Sequence, residues 1–158
     1  MNGGRLAVGA MLLIAALGGV VMWYLQVYAF YEPVTFQPGQ EIRLTPIIGA
    51  TPEAIPAENA TGIDSESSPI RFRACFTTTL SLAELTETYQ TYEGAEPLIA
   101  PGWFDCFDAR AIGTALERGE ALAFLSEAGI RPGVNRVVAV FPDGRAYAWH
   151  QLNDSLKD

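Results

Sequence analysis

Two cysteines, one histidine, a pair of strand arginines and two aspartates are the residues of this chain equipped for chemistry. Cys75 and Cys106 are its only cysteines. An even pair in a small domain reads first as a disulfide where the surroundings oxidise. No C-x-x-C spacing is present to depress a thiol pKa, which argues against a redox-active pair. His150 is the single histidine, so zinc or haem would have to borrow other ligands. Cys75, Cys106 and His150 together would make a Cys2His set, but their spacing matches no metal motif. The methionines Met1, Met11 and Met22 lie in or before an apolar N-terminal segment, and no C-x-x-C-H is present to attach haem. No metal and no cofactor is expected.

Cys106, His150 and either Asp105 or Asp108 would serve as nucleophile, base and orienter. That constellation needs Cys106 free, which conflicts with the disulfide. Asp105 and Asp108 as an acid/base pair fare no better, because Asp108 stands where it would cap a helix. No phosphate-cradling glycine loop occurs, Gly18-Gly19 being inside the apolar segment. No catalytic residue is assigned, and the chain is expected not to be an enzyme. Arg71 and Arg73 share one face of an alternating stretch; with Trp103 and Trp149 they offer an alternative binding site for a small anionic ligand. The plainer account of both arginines is a sheet face meeting nearby carboxylates.

These residues are positioned by a chain of two unlike parts. Residues 6–30 are an uncharged apolar run of 25 residues. At about 1.5 Å per residue that exceeds the ~20 residues needed to cross a hydrocarbon core. Trp23, Tyr24, Tyr28, Phe30 and Tyr31 cluster at its outer end, where headgroups suit an apolar ring with a polar tip. Ala15 and Gly19 form a small-x-x-x-small pair that would admit a second helix. A cleaved signal peptide is the rival reading, with Ala16-Leu17-Gly18 as cleavage site. However, the run stays apolar well beyond a 7–15-residue signal core. Arg5 before the run and Glu32 after it place the N-terminus in the cytoplasm and the remainder in the periplasm of a bacterial inner membrane.

The remainder is acidic. Formal net charge is −8, and all 18 carboxylates follow residue 31 together with nine of the ten basic residues, leaving the head at −9. Such a charge disfavours nucleic acid and anionic lipid surfaces. Residues 1–31 are therefore read as a transmembrane anchor, 32–40 as a Pro/Gly neck, and 41–158 as one periplasmic domain.

Within that domain residues 41–48 read as a first strand and 49–69, with Pro52, Pro56 and Pro69, as a surface loop. Residues 70–76 alternate as a second strand. Ser81-Leu82-Ala83-Glu84 is a capping box opening a helix that Gly94 stops. Asp108 caps a helix over 109–117, with helix resuming over 120–128 after Gly119. Residues 134–141 and 145–152 form a hairpin around Pro142-Asp143-Gly144. The expected class is α+β, an antiparallel sheet in the order β-β-α-α-β-β with helices on one face.

Three stretches together resemble a known family. They are the anchor exit Tyr24-Leu25-Gln26-Val27-Tyr28-Ala29-Phe30-Tyr31, the knot Gly102-Trp103-Phe104-Asp105-Cys106-Phe107-Asp108, and the hairpin ending Ala148-Trp149-His150-Gln151. The family is one of short, uncharacterised alphaproteobacterial single-span membrane proteins, some automatically labelled histidine kinases. The resemblance supplies no activity and no catalytic residue. The kinase label fails physically: one histidine at a hairpin edge and no nucleotide loop cannot support ATP-driven phosphotransfer. The expectation is a non-enzymatic accessory subunit or assembly factor docking on a larger membrane complex, with the respiratory chain as the expected host. No small-molecule substrate is expected, and a periplasmic ligand-sensing module is the alternative.

Overall fold

The computed structural model describes residues 2–37 and 42–156. The chain separates into two compact units, Met1–Glu32 and Pro33–Asp158.

In the first unit, α1 spans Gly3–Tyr24 and continues through one π-helical turn, Leu25–Ala29. The combined helix has 27 residues, and its most apolar 18-residue stretch has mean hydropathy 2.3 with none of it buried, so it is long and apolar enough to cross a membrane. Its apolar side chains cover the whole circumference, leaving no polar face to sit against water. Trp23 and Tyr24 both pack on Tyr28, with ring centroids 5.6 and 5.8 Å apart, so three of the five aromatics named for the collar touch one another. Ala15 and Gly19 are both exposed on the helix surface.

The second unit is α+β, as expected. Its six-stranded sheet runs in the order β1 (Glu32–Val34), β4 (Glu58–Asp64), β5 (Arg73–Thr77), β8 (Arg145–Leu152), β7 (Val134–Val140) and β6 (Leu122–Arg131). The pairings from β4 to β6 are all antiparallel. A second small sheet pairs β2 (Arg43–Leu44) with β3 (Glu53–Ala54). Helices α2 (Leu82–Thr88) and α3 (Ala109–Glu117) complete it.

Strand alternation divides the core in two. Phe72, Ala74, Phe76, Phe124, Val138, Val140, Ala146 and Ala148 pack on one sheet face with Ile42, Leu44, Ile55 and, from α2, Leu85. Cys75, Ala123, Val137, Ala139 and Trp149 pack on the other with Phe107 and, from α3, Ile112. The two helices thus cover opposite faces rather than sharing one. That arrangement buries both faces of the inner strands, so stretches such as Val137-Val138-Ala139-Val140 are apolar at successive positions rather than alternating.

This double burial explains the largest correction. Residues 120–128 are not helical; most of them belong to β6. Gly119, at φ +68°, ends α3, and the Glu120 and Ala121 N–H groups turn back onto the Ala115 carbonyl. Ala123 then faces one core and Phe124 the other, so the run lacks the polar-apolar alternation that marks a half-buried strand. The expected loop over 49–69 contains β3 and β4. A polar strand such as Glu58–Asp64 shows weak strand propensity and gains its place by pairing with β5. Of the first strand expected over 41–48, only Arg43–Leu44 form one, and Glu41 lies outside the described residues. Of the expected neck, 32–34 are β1, and 38–40 lie outside the described residues.

Two local expectations hold in detail. Ser81 and Glu84 close a reciprocal capping box on α2, and Asp108 Oδ1 accepts from the N–H groups of Arg110 and Ala111 at 3.0 Å each. Helix α2 nevertheless ends at Tyr89 rather than Gly94. The following residues are recruited to the edge of β6: Leu125 N–H donates to the Gln90 carbonyl and Tyr92 N–H to the Ala123 carbonyl. The expected hairpin of β7 and β8 forms around Pro142-Asp143-Gly144, with Val140 paired to Ala146 and Val134 to Leu152.

Candidate functional site

His150, Arg73, Asp108 and both cysteines are tied into the framework of the head, and each tie can be followed atom by atom. His150 lies on the α2 side of the sheet, only 2% exposed, stacked on Phe72 at 4.7 Å between ring centroids. Its Nδ1 sits 2.8 Å from the Pro69 carbonyl oxygen, and Arg136 Nε donates to its Nε2 at 3.1 Å. A carbonyl only accepts and a guanidinium only donates, so Nδ1 carries the proton and Nε2 the lone pair. Burial, then the positive field of Arg136, push the imidazole pKa down to about 3, against a smaller opposing effect of the Pro69 bond. His150 is a neutral strut.

Arg136 is the cation of this cluster. Its guanidinium lies 4.1 Å from the Phe72 ring centroid and 3.8 Å from Glu127 Oε1. Burial lowers its pKa, and Glu127 and then Asp64 act the other way.

On the opposite sheet face the segment between Tyr92 and α3 is pinned at three places. The first is Gln151, whose Oε1 accepts from Glu96 N–H and from Trp149 Nε1–H, both at 2.9 Å. Its Nε2 donates to the Gly94 carbonyl at 3.0 Å. The second is Arg73, 4% exposed, which donates to four backbone carbonyls: Leu98 at 2.8 Å, Ile70 at 2.8 Å, Phe72 at 2.6 Å and Ile99 at 3.2 Å. The third is the disulfide between Cys75 and Cys106, with Cα atoms 6.3 Å apart.

The anion-binding set considered from sequence is not assembled. Arg73 is spent on backbone carbonyls, and Trp149, 0% exposed, is packed against Phe107. Trp103, 38% exposed, stands on the pinned segment, and Arg71 is half-buried just before β5. Nor do Cys75, Cys106 and His150 converge. The cysteines are bonded to each other on the α3 side, whereas His150 faces the α2 side. Among the described residues no group of three His, Cys, Asp or Glu side chains is placed to hold a metal ion. Asp108 caps α3, and Asp105 is exposed beside the disulfide.

Open surface adjoins the pinned segment. A cavity of about 500 Å³ is bordered by Ile99, Gly102, Phe104, Asp105 and Arg110. A groove of about 620 Å³ runs between Ala95, Pro97 and the Gly113 and Leu116 side of α3. Sequence reasoning missed Gln151 and Arg136, both of which organise the head. A single glutamine or arginine in a strand gives no pattern from which its partners 14 or 55 residues away can be read.

Residues 42–158 match the model of a family described only as one of unknown function, DUF6446. No curated protein and no solved structure matches the chain.

Proposed function

We propose, from the premise that this chain belongs to the DUF6446 family, that it is a non-enzymatic, membrane-tethered docking subunit. One observation carries the reading: the sole histidine, both cysteines and Arg73 all serve the integrity of the head. What remains accessible is an acidic surface that carries a few exposed apolar side chains, among them Ile47, Ile48, Ile99 and Trp103. In this reading Gly3–Ala29 is a retained single span, with the N-terminus in the cytoplasm and the acidic head in the periplasm. The disulfide supports an oxidising location for the head, and the aromatic cluster at Trp23, Tyr24 and Tyr28 supports a helix end at headgroup level.

The partner in this reading is an integral membrane complex on which the head serves as accessory subunit or assembly factor. Purifying the tagged full-length chain from native membranes in mild detergent tests it. A stoichiometric integral-membrane partner is the expected result, and recovery of the chain alone overturns the proposal. The ligand-sensing alternative is weaker because Arg73 and Trp149 are both buried and engaged. A thermal-shift titration with phosphate or sulfate that raised the melting temperature would revive it.

A further inference from the structure

Between Glu96 and Asp105 the pinned segment reads Pro97-Leu98-Ile99-Ala100-Pro101-Gly102-Trp103-Phe104, with no charged residue in an otherwise acidic head. Ile99 is 85% exposed and Trp103 is 38% exposed, with Trp103 set edge-on against Phe104 at 6.3 Å. Exposed apolar loops ordinarily lose ordering entropy on binding. This one is already held, by Arg73 on the Leu98 and Ile99 carbonyls and by the covalent tie at Cys106. The head therefore presents a preorganised apolar tip.

The geometry points to this tip as a second membrane contact, with Ile99 and Trp103 inserted into the interfacial layer of an electrically neutral, zwitterionic bilayer. The inference rests on the reading of Gly3–Ala29 as a retained span. Trp103 has the amphipathic ring suited to the headgroup layer, and Ile99 the aliphatic chain suited to the layer beneath. A protein partner is less suited to this tip. Stable protein interfaces engage about 20–30 residues a side, far more than one eight-residue loop offers. Charge selects the lipid: a head at −9 is repelled by anionic surfaces, and the loop has no Lys or Arg to reverse that. Only Phe30 and Tyr31 separate the helical segment from Glu32 of β1. Linkage to a retained span makes the second contact intramolecular, so a contact too weak to bind alone suffices where the linker lets the tip reach the bilayer.

The test uses the full-length Trp23→Phe chain in phosphatidylcholine vesicles with and without brominated acyl chains. The Trp103 signal is isolated by subtracting the spectrum of the Trp23→Phe/Trp103→Phe chain. That signal should be quenched by brominated lipid, shielded from acrylamide and unaffected by high salt, and Ile99→Asp should abolish the lipid quenching. If acrylamide reaches Trp103 and brominated lipid does not, while Trp23 in the parent chain is lipid-quenched, the span stands and the loop contact falls. If Trp23 is also untouched by lipid, the span reading falls as well. If Trp103 is shielded only in preparations that retain a bound protein, the contact is with that protein and the lipid inference is overturned.

Discussion

Arg136 and His150 are direct cross-strand partners on β7 and β8, and a hydrogen bond from Arg136 Nε to His150 Nε2 joins them across 3.1 Å. A guanidinium beside an imidazole is a repulsive pair if both are charged. Here the repulsion is removed by keeping the imidazole neutral, and the Pro69 carbonyl fixes which nitrogen holds the proton. The pair bonds the α2-side core to the turn before β5 and leaves no histidine lone pair for nucleophilic or phosphoacceptor chemistry.

The first expected outcome concerns pH. With a folded pKa of about 3 against 6.5 in the unfolded chain, the unfolded state binds more protons at His150 between these values. Stability therefore falls as pH drops through that window, by roughly 3 kcal/mol between pH 7 and pH 4. His150 is the sole histidine, so its ring resonances in an NMR titration need no assignment. They should stay in the neutral position from pH 8 to pH 5; a midpoint near 6.5 would show an accessible imidazole. In urea melts His150→Gln should lose most of this acid sensitivity.

Arg73 gives the second. Replacing it with methionine keeps an unbranched stem but removes the guanidinium, whose carbon lies 5.7 Å from the Phe107 ring centroid. It strips donors from the carbonyls of Ile70, Phe72, Leu98 and Ile99. Leaving buried acceptors unmet costs about 1–3 kcal/mol each, and solvent rescues those near the loop, so a net loss of about 3 kcal/mol is expected in chemical denaturation. A ligand-binding arginine would behave otherwise. Arg73→Met would then leave the melt unchanged and remove a stabilisation by phosphate seen in the parent protein.

The contrast between Arg73 and Arg71 shows where sequence stops. Alternation over residues 70–76 correctly assigned Phe72, Ala74 and Phe76 to one face and Cys75 to the other, because strand geometry is local. It could not say that one arginine would be consumed by a loop 25 residues onward. The caps at Ser81 and Asp108 and the turn at Pro142-Asp143-Gly144 were legible for the same local reason. Residues 122–126 and 58–64 were not: the first has apolar side chains on both faces, the second has only Ala60 and Ile63 as apolar side chains, and neither shows the period of its element. The disulfide was legible by elimination, since the chain has only two cysteines. Its role in holding Ile99 and Trp103 outward depends on the fold.

Removing that disulfide is the third experiment. Cys75 and Cys106 lie 31 positions apart, a loop for which chain entropy gives about 3–4 kcal/mol. The Cys75→Ala/Cys106→Ala chain should lose about that much stability. Hydrogen exchange should rise over residues 97–105, with the β7–β8 amides remaining the most protected. Equal loosening of both regions would mean the cross-link secures the whole sheet rather than the segment laid over it.

Gly144 and Gly129 provide a matched pair for the last. Both have positive φ, +88° and +60°, which a side chain resists. Around Gly129 a Cβ would meet nothing within 4 Å, whereas at Gly144 it would lie 2.7 Å from the Thr78 carbonyl oxygen. That carbonyl cannot simply withdraw, since Thr78 N–H donates to the Gly144 carbonyl at 2.9 Å and couples the turn to the end of β5. Gly129→Ala should cost only the conformational strain, about 1 kcal/mol. Gly144→Ala adds the clash and the weakened bond, and should cost at least about 2 kcal/mol more. Denaturation midpoints of the two variants measured side by side decide the matter. Equal losses would show that the turn moves away from β5 freely, and that Thr78 does not fix its position.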